Sequence, residues 1–570
     1  MAANIIFAVS YAVYAVFFLK NSGSLSYPVY LAPFIIYLVI AAAAWGLNRI
    51  NGEGMKKNLN VLFRSLYVFV ILFAAVKISA VNFPDPHNFT LRKYELLLGC
   101  AYALFLICTA VMFAYLAFRK ADIEITEAKD ISKGVFIFFL VFYMALSLWF
   151  NYANQPTGDE PSYLIVTHSL IHDRDIDLAN NYEKKDYFNF YKKELEPQGA
   201  YIRSGDKLFS NHPVLLSILI LPFYLIGGRL GVTLPISCLS AFFISLIFVF
   251  TYGVIRDKKA AMFAALITGL TMPVIAFNNQ ISMEIINGVV ILGAYMAIKS
   301  EKKNILLFSV LMAGMLWLHV RNIPIYGSLG LIFLYESRKE PLNFLKFAGI
   351  QAAVIALFFA YNFFAYGVIM PSYGENNAST LSYFTFNNLN ASLAFLMDRQ
   401  FGLVFYAPVF SLVFAGIIFF LRENKRMFVE MCILFLPYFA LITSWFDWGG
   451  GSSAPRYLVQ IMFIFTVLLA AVIKNIRGKK AEFVFFALST ASFGVSALVA
   501  CVPWFRWDKS GGDNWIIAIA SKILHFDLNI IFPSFRIPAS NTLFLTFFWS
   551  AVIIAVNLYM FNKEKRKGGN

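Results

Sequence analysis

The chain has 570 residues, of which 59% are hydrophobic and only 14% charged, with a mean hydropathy of +0.68. Soluble domains carry about a quarter charged residues, so this composition excludes an ordinary soluble protein. The formal net charge of +15 does not argue for a nucleic-acid partner, because the excess Lys and Arg lie in short loops between apolar stretches, where they set membrane topology.

Apolar stretches of about twenty residues recur along the sequence, each long enough to cross a hydrocarbon core of about 30 Å. In lipid every backbone polar group must be satisfied within its own segment, so these stretches are expected to be helices. The expected fold is an all-α polytopic membrane protein of about sixteen transmembrane helices, with a large outer loop containing surface helices. In chain order the expected spans are 3–19, 28–48, 61–81, 96–118, 134–152, 232–254, 260–278, 281–298, 304–320, 323–336, 345–364, 401–421, 428–446, 457–473, 481–503 and 541–560. The first has neither a basic leading region nor a small-residue cleavage site, and so reads as a span rather than a signal peptide.

Basic clusters fall on alternate loops, among them Arg256/Lys258/Lys259, Lys299/Lys302/Lys303, Arg422/Lys425/Arg426 and Lys474/Arg477/Lys479/Lys480. Placing them inside puts both termini in the cytoplasm and requires an even number of spans. The apolar run from Pro213 to Ile226 would invert every later loop if it crossed. It is also short for a crossing, so it is expected to lie along the outer surface.

The outside then receives segments 153–212, 365–400, 447–456 and 504–540. The first holds ten Asp/Glu against seven Lys/Arg, and a polar loop of that size is more often functional than a mere connector. Residues 1–125 form an expected N-terminal four-helix bundle, set off by the charged stretch Arg119–Lys133, and 126–570 the catalytic module, with 153–231 carrying its motif. The five cysteines (Cys100, Cys108, Cys238, Cys432, Cys501) lack metal-like spacing and read as packing residues.

Four short motifs could carry chemistry. Gly158-Asp159-Glu160-Pro161-Ser162-Tyr163 follows a span directly. Carboxylates there are costly to desolvate, and one of them could take a proton from an attacking hydroxyl. Asp159 could equally cap a helix with Pro161 in its first turn. Phe209-Ser210-Asn211-His212-Pro213 leads into the surface helix and also reads as a solvated turn. Trp448-Gly449-Gly450-Gly451-Ser452-Ser453-Ala454-Pro455-Arg456-Tyr457 combines glycines that allow close backbone approach with a planar cation, and reads alternatively as a flexible turn with an interfacial arginine. Leu318-His319-Val320-Arg321-Asn322 places a cation in a short outer turn, where membrane anchoring is the simpler role.

Other patterns fail on inspection. His168 and His172 have helical spacing for a metal pair but no evident third ligand. Asp173-Arg174-Asp175-Ile176-Asp177 starts like a calcium loop, but Leu178 stands where glycine is needed and Lys184 where a bidentate Glu belongs. No phosphate-cradling GxxxxGK[ST] or GxGxxG occurs. The sequons at Asn88, Asn377 and Asn390 matter only in a glycosylating host.

Together the motifs resemble the C-type (GT-C) glycosyltransferase superfamily, which includes protein O-mannosyltransferases and the lipid A aminoarabinose transferases. Asp159-Glu160 matches the acidic pair that opens the first large outer loop of those enzymes. His212-Pro213 matches in part a His-Pro-Pro element, Val214 replacing the second proline. Trp448 to Tyr457 and Asp398-Arg399-Gln400-Phe401-Gly402-Leu403 look like patterns of uncharacterised bacterial members. The resemblance covers about residues 130–475.

It implies a polyprenyl-phosphate-linked sugar donor, a lipid, glycan or protein acceptor, and inversion at the anomeric carbon. Asp159 would be the general base and Glu160 its positioning partner, or that of the acceptor. Arg456, with Arg399 or Arg321, would hold the leaving phosphate. Tyr163, His212 and Tyr457 complete the implied substrate contacts. No cofactor is fixed, and a divalent metal stays open because some relatives use one. The implied location is a bacterial cytoplasmic (inner) membrane, with membrane lipid around the spans and the active site facing outside. Another lipid-linked glycan ligase or polymerase, or a transporter or flippase, remains as an alternative. An ion-coupled transporter would need ionisable groups near mid-membrane, whereas nearly all charges here fall at span ends.

Overall fold

A computed structural model describes residues 127–565 apart from 198, 202–206, 301–302, 368, 370–383, 386–387, 453–454 and 508–513. The expected N-terminal bundle, Cys100, Cys108 and the sequons at Asn88 and Asn377 lie outside the described residues.

The described chain is mostly helical. Its helices of ten residues or more are α1 (Ala128–Ala153), α2 (Glu160–His172), α3 (Leu215–Ile255), α4 (Lys258–Leu270), α5 (Glu284–Lys299), α6 (Ile305–Leu318), α7 (Ile323–Glu336), α8 (Pro341–Tyr366), α9 (Asn388–Met397), α10 (Val413–Glu423), α11 (Lys425–Ser444), α12 (Met462–Asn475), α13 (Lys479–Cys501), α14 (Trp515–Leu524) and α15 (Thr542–Lys565). Among the described residues, seven helices are long and apolar enough to cross a membrane: Ala128–Asn151, Leu215–Ile255, Pro341–Tyr366, Lys425–Ser444, Arg456–Asn475, Lys479–Ala500 and Thr542–Phe561.

Several expected spans are shorter or broken, and the sequence gives the reason. The stretch 260–278 stops as a helix at Leu270, ahead of Pro273, which cannot donate to a helical ladder and disfavours helical geometry in the residue before it. The stretch 401–421 breaks at Pro408 into a short helix (Leu403–Tyr406), a 3-10 turn (Pro408–Leu412) and α10. Helix starts follow side-chain caps: Asp257 accepts from the Ala260 amide, Asn304 from Leu307, Asn424 from Met427, and Asn514 from Ile516 and Ile517.

The expected surface helix is the first part of α3. Helical geometry is lost at Gly227 and Gly228, the latter at φ 56° and ψ −141°, a conformation that a side chain would strain. The break falls just past the expected end at Ile226. The segment before it leaves Ile218, Leu219, Phe223, Leu225 and Ile226 exposed. Beyond it α3 packs along α1, where Thr233 Oγ1 accepts from Ser147 Oγ at 3.0 Å and from Asn151 Nδ2 at 2.7 Å. Such polar contacts between apolar helices fix their register.

The segment between α1 and α3 is folded on its own small core of Ile165, Val166, Leu178, Tyr187, Leu208 and Val214. It contains one antiparallel pair, β1 (Gly199–Tyr201) and β2 (Leu208–Ser210), with Ala200 opposite Phe209. An all-α reading missed these two short strands. The acidic run here serves turns: Asp177 Oδ1 accepts from the Ala179 and Leu208 amides, and Asp173 accepts from Asn180 and Asn181.

Candidate functional site

Asp159 occupies the N-cap position of α2 but makes no capping bond with its side chain. It reaches across 297 residues of sequence to Arg456, whose Nη2 donates to Asp159 Oδ2 at 3.1 Å. The expected helix start is thus present, with Asp159 at the cap position and Pro161 in the first turn, while the Asp159 side chain is given to Arg456. Gly158 allows the approach to α2: it sits at φ +59°, and a Cβ there would meet the Trp507 ring at 2.9 Å.

Arg456 opens a 3-10 turn (Arg456–Ile461) that leads into α12. The glycine run before it is shaped for this presentation. Gly450 has φ +64°, and a Cβ on it would lie 2.7 Å from Tyr457 Oη and 3.1 Å from Arg456 Nε. Gly449 packs on the Phe401 ring, and Phe401 stands edge-on to Trp448 with centroids 5.3 Å apart. Asp398 sets that ring in place: its carboxylate accepts from the amides of Gln400, Phe401 and Phe535 at 2.6, 3.0 and 2.7 Å. The late-loop motifs thus meet in space as one support for Arg456.

Two further charges complete the group. Glu284, the first residue of α5, is fully buried; its Oε1 lies 3.6 Å from Arg456 Nε and accepts from Arg321 Nη2 at 3.3 Å. Arg321 and Arg456 both lie over the Tyr457 ring, at 4.3 and 5.2 Å from its centroid. The result is two carboxylates against two guanidiniums. Anchoring to the membrane, the simpler reading of Arg321, does not describe a side chain buried in this group.

Two imidazoles border it. His212 packs against Tyr163, centroids 4.9 Å apart, and Tyr163 is itself buried. The His319 Nδ1 accepts from the Arg321 amide at 2.9 Å. Burial lowers His212 below its ordinary value, with the Asp159 charge opposing. For Asp159, burial alone would raise the carboxyl. The Arg456 charge, then His212, Arg321 and His319, outweigh it and bring the group down to about 2.

Glu160, read from sequence as working beside Asp159, has a separate set of partners. It is fully buried, and its Oε2 accepts from Arg229 Nη2 at 2.7 Å while Oε1 accepts from the Ile281 amide at 3.0 Å. Arg229 and Arg506 both lie against Phe150, at 5.1 and 4.1 Å from its centroid, and Arg506 donates to Asn279 Oδ1 at 2.7 Å. Burial depresses Arg506 to about 9, which leaves it a cation at neutral pH. Glu160 thus locks the start of α2 to α3 and to the Ile281 turn.

Arg399 does not join the Asp159 group in its described contacts. Its Nη1 donates to the Asn529 carbonyl at 3.3 Å and its amide to the Pro533 carbonyl at 3.0 Å. Sequence reasoning missed Glu284, Arg229 and Arg506. Glu284 carried a signal, being an acid inside an expected span, where an ionisable group needs a partner. Arg229 lies just past the glycine break within α3 and Arg506 ends the 3-10 turn Pro503–Arg506, places that no motif marks.

Among the described residues no three His, Cys, Asp or Glu side chains gather as metal ligands, and the His168 and His172 rings simply lie side by side at 4.2 Å. Comparison with family models, with curated proteins and with solved structures gives no match.

Proposed function

We propose that this chain is a membrane glycosyltransferase. In this reading it moves a sugar from a polyprenyl-phosphate donor to an acceptor hydroxyl at the outer face of a bacterial cytoplasmic membrane, inverting the anomeric centre, and its helices form the sixteen-span arrangement expected from sequence. The observation that carries the reading is the Asp159–Arg456 ion pair at 3.1 Å. It joins the acid at the start of the large outer loop to the cation at the end of the glycine run.

The chemistry follows from what each group can exchange. An acceptor hydroxyl attacks the anomeric carbon while its proton passes to the Asp159 carboxylate. The bond from that carbon to the phosphate oxygen breaks, and its electron pair stays on the phosphate. At rest Asp159 is a weak base, because Arg456 holds it down to about 2. A donor phosphate competes for the same guanidinium, and a bidentate contact with phosphate suits arginine. As Arg456 turns to the phosphate, Asp159 loses its strongest counter-charge and becomes a better base beside the acceptor. Glu284 remains to hold the other edge of Arg456.

The reading is tested with protein in liposomes, labelled polyprenyl-phosphate sugar and extracted envelope acceptors. Transfer that requires the lipid-linked donor is expected. Failure to transfer from any such donor, alongside movement of a lipid or solute across the bilayer, would favour a transporter or flippase. Orientation is read separately with an impermeant thiol reagent on cysteine-free backgrounds. Lys193→Cys should label from outside and Lys480→Cys should not, and the reverse pattern would invert the topology.

A further inference from the structure

We propose that Asn287, Asn322 and Gln460 form a positioning ring that fixes the spacing of Glu284, Arg321 and Arg456. The three amides close a hydrogen-bonded circle. Asn287 Nδ2 donates to Gln460 Oε1 at 3.1 Å, Gln460 Nε2 donates to Asn322 Oδ1 at 3.1 Å, and Asn322 Nδ2 donates to Asn287 Oδ1 at 2.9 Å. All three residues are fully buried. Asn322 Nδ2 also donates to the Met315 carbonyl at 2.9 Å, which ties the circle to the last turn of α6.

Each amide sits next to one charge of the site. Asn287 lies three residues after Glu284 on α5, one turn along the same face. Asn322 follows Arg321 directly in the 3-10 turn Val320–Asn322. Gln460 lies four residues after Arg456 in the 3-10 turn Arg456–Ile461. Three segments distant in sequence each bring one amide to the ring and one charge to the site.

The charges need such a device. Arg321 and Arg456 are like charges that share Glu284 and the Tyr457 ring. Their repulsion pushes the two turns apart, and the packing around them is apolar, hence non-directional. A closed circle permits one arrangement, because each amide both donates and accepts and a slip in any segment breaks two bonds. The ring acts through the arginines and touches no reacting atom, so its members are positioning residues.

The proposal concerns where the arginines stand, whichever anion they serve, and its test needs no donor or acceptor. Full-length protein in detergent is measured in a double-mutant cycle of melting temperature with Asp159→Asn, Arg456→Gln and the pair. The non-additivity reports the Asp159–Arg456 coupling. The cycle is repeated in a Gln460→Leu background and in a triple background of Asn287→Leu, Asn322→Leu and Gln460→Leu. The triple removes donors and acceptors together and so largely avoids orphaned polar groups. A positioning ring predicts that the coupling falls by at least about half in both backgrounds, even where the triple variant melts near wild type. Wild-type coupling in either background would overturn the proposal. Should the triple variant not fold, the Gln460→Leu cycle decides alone. Absence of glycosyl transfer in the wild type would count against the function proposed above and leave this result untouched.

Discussion

Asp159 and Glu160 are neighbours in sequence and the same kind of acid, yet they enter two different charge groups. Asp159 faces a balanced set, two carboxylates against two guanidiniums, and keeps some exposure, with 17% of its side chain accessible. Glu160 is wholly buried and is the acid nearest two guanidiniums that lie against the Phe150 ring. A balanced, partly open group can exchange one of its partners for an incoming anion at little cost. A buried carboxylate between Arg229 and an amide cannot, because removing it strands a charge in low dielectric. The helical step from residue 159 to 160 turns one acid toward the site and the next toward the scaffold.

The largest expected effect lies on the scaffold side. Glu160→Gln removes the counter-charge of Arg229 and should cost about 3–5 kcal/mol of stability. Melting temperature and folded yield in detergent should both drop, while the protein that survives keeps most of its specific activity. A Glu160→Gln variant as stable as wild type but inactive would reverse the assignment of the two acids.

Next comes Asp159→Asn, which preserves shape but cannot accept the acceptor proton. Transfer should fall at least about a hundredfold. Binding of a polyprenyl phosphate should survive or tighten, because Arg456 is released from its resting partner. Transfer near the wild-type rate would remove the general-base role. A smaller effect belongs to Arg456→Lys, which keeps the charge and loses the planar fork. It should transfer more slowly than wild type by about tenfold and outperform Arg456→Ala. Full activity in both would reduce Arg456 to a structural cation.

Composition and apolar spacing were enough for a helical membrane fold, and the alternation of basic loops marked off the segment before Ile226, where the helix breaks at Gly227 and Gly228. Prolines 273 and 408 stand in the sequence, yet whether a proline kinks or ends a helix depends on packing that the sequence does not display. The Asp159–Arg456 pair was legible as two separate motifs, since each is a local departure from apolar sequence. Their meeting across 297 residues was not. The two short strands β1 and β2 were invisible because their residues, Gly199–Tyr201 and Leu208–Ser210, carry no alternation long enough to read. Arg399 stands beside a recognisable motif, and its described contacts are to the Asn529 and Pro533 carbonyls.

The smallest effect is the most direct reading of the resting ion pair. Asp159 titrates at about 2 in the folded protein against an ordinary value of 3.8. A carboxyl depressed by folding contributes stability that is fully present above about pH 4 and is lost as pH falls from there toward 2. Wild-type melting temperature should therefore decline between pH 6 and pH 3 more steeply than that of Asp159→Asn. Other carboxylates titrate in both proteins and cancel in the comparison. Arg456→Gln should flatten the profile in the same way, because it removes the largest of the charges holding Asp159 down, whereas a substitution at exposed Lys193 should leave it unchanged. Parallel profiles for wild type and Asp159→Asn would mean that the two side chains do not pair at rest. The exchange of Arg456 between carboxylate and phosphate would then lose its starting point.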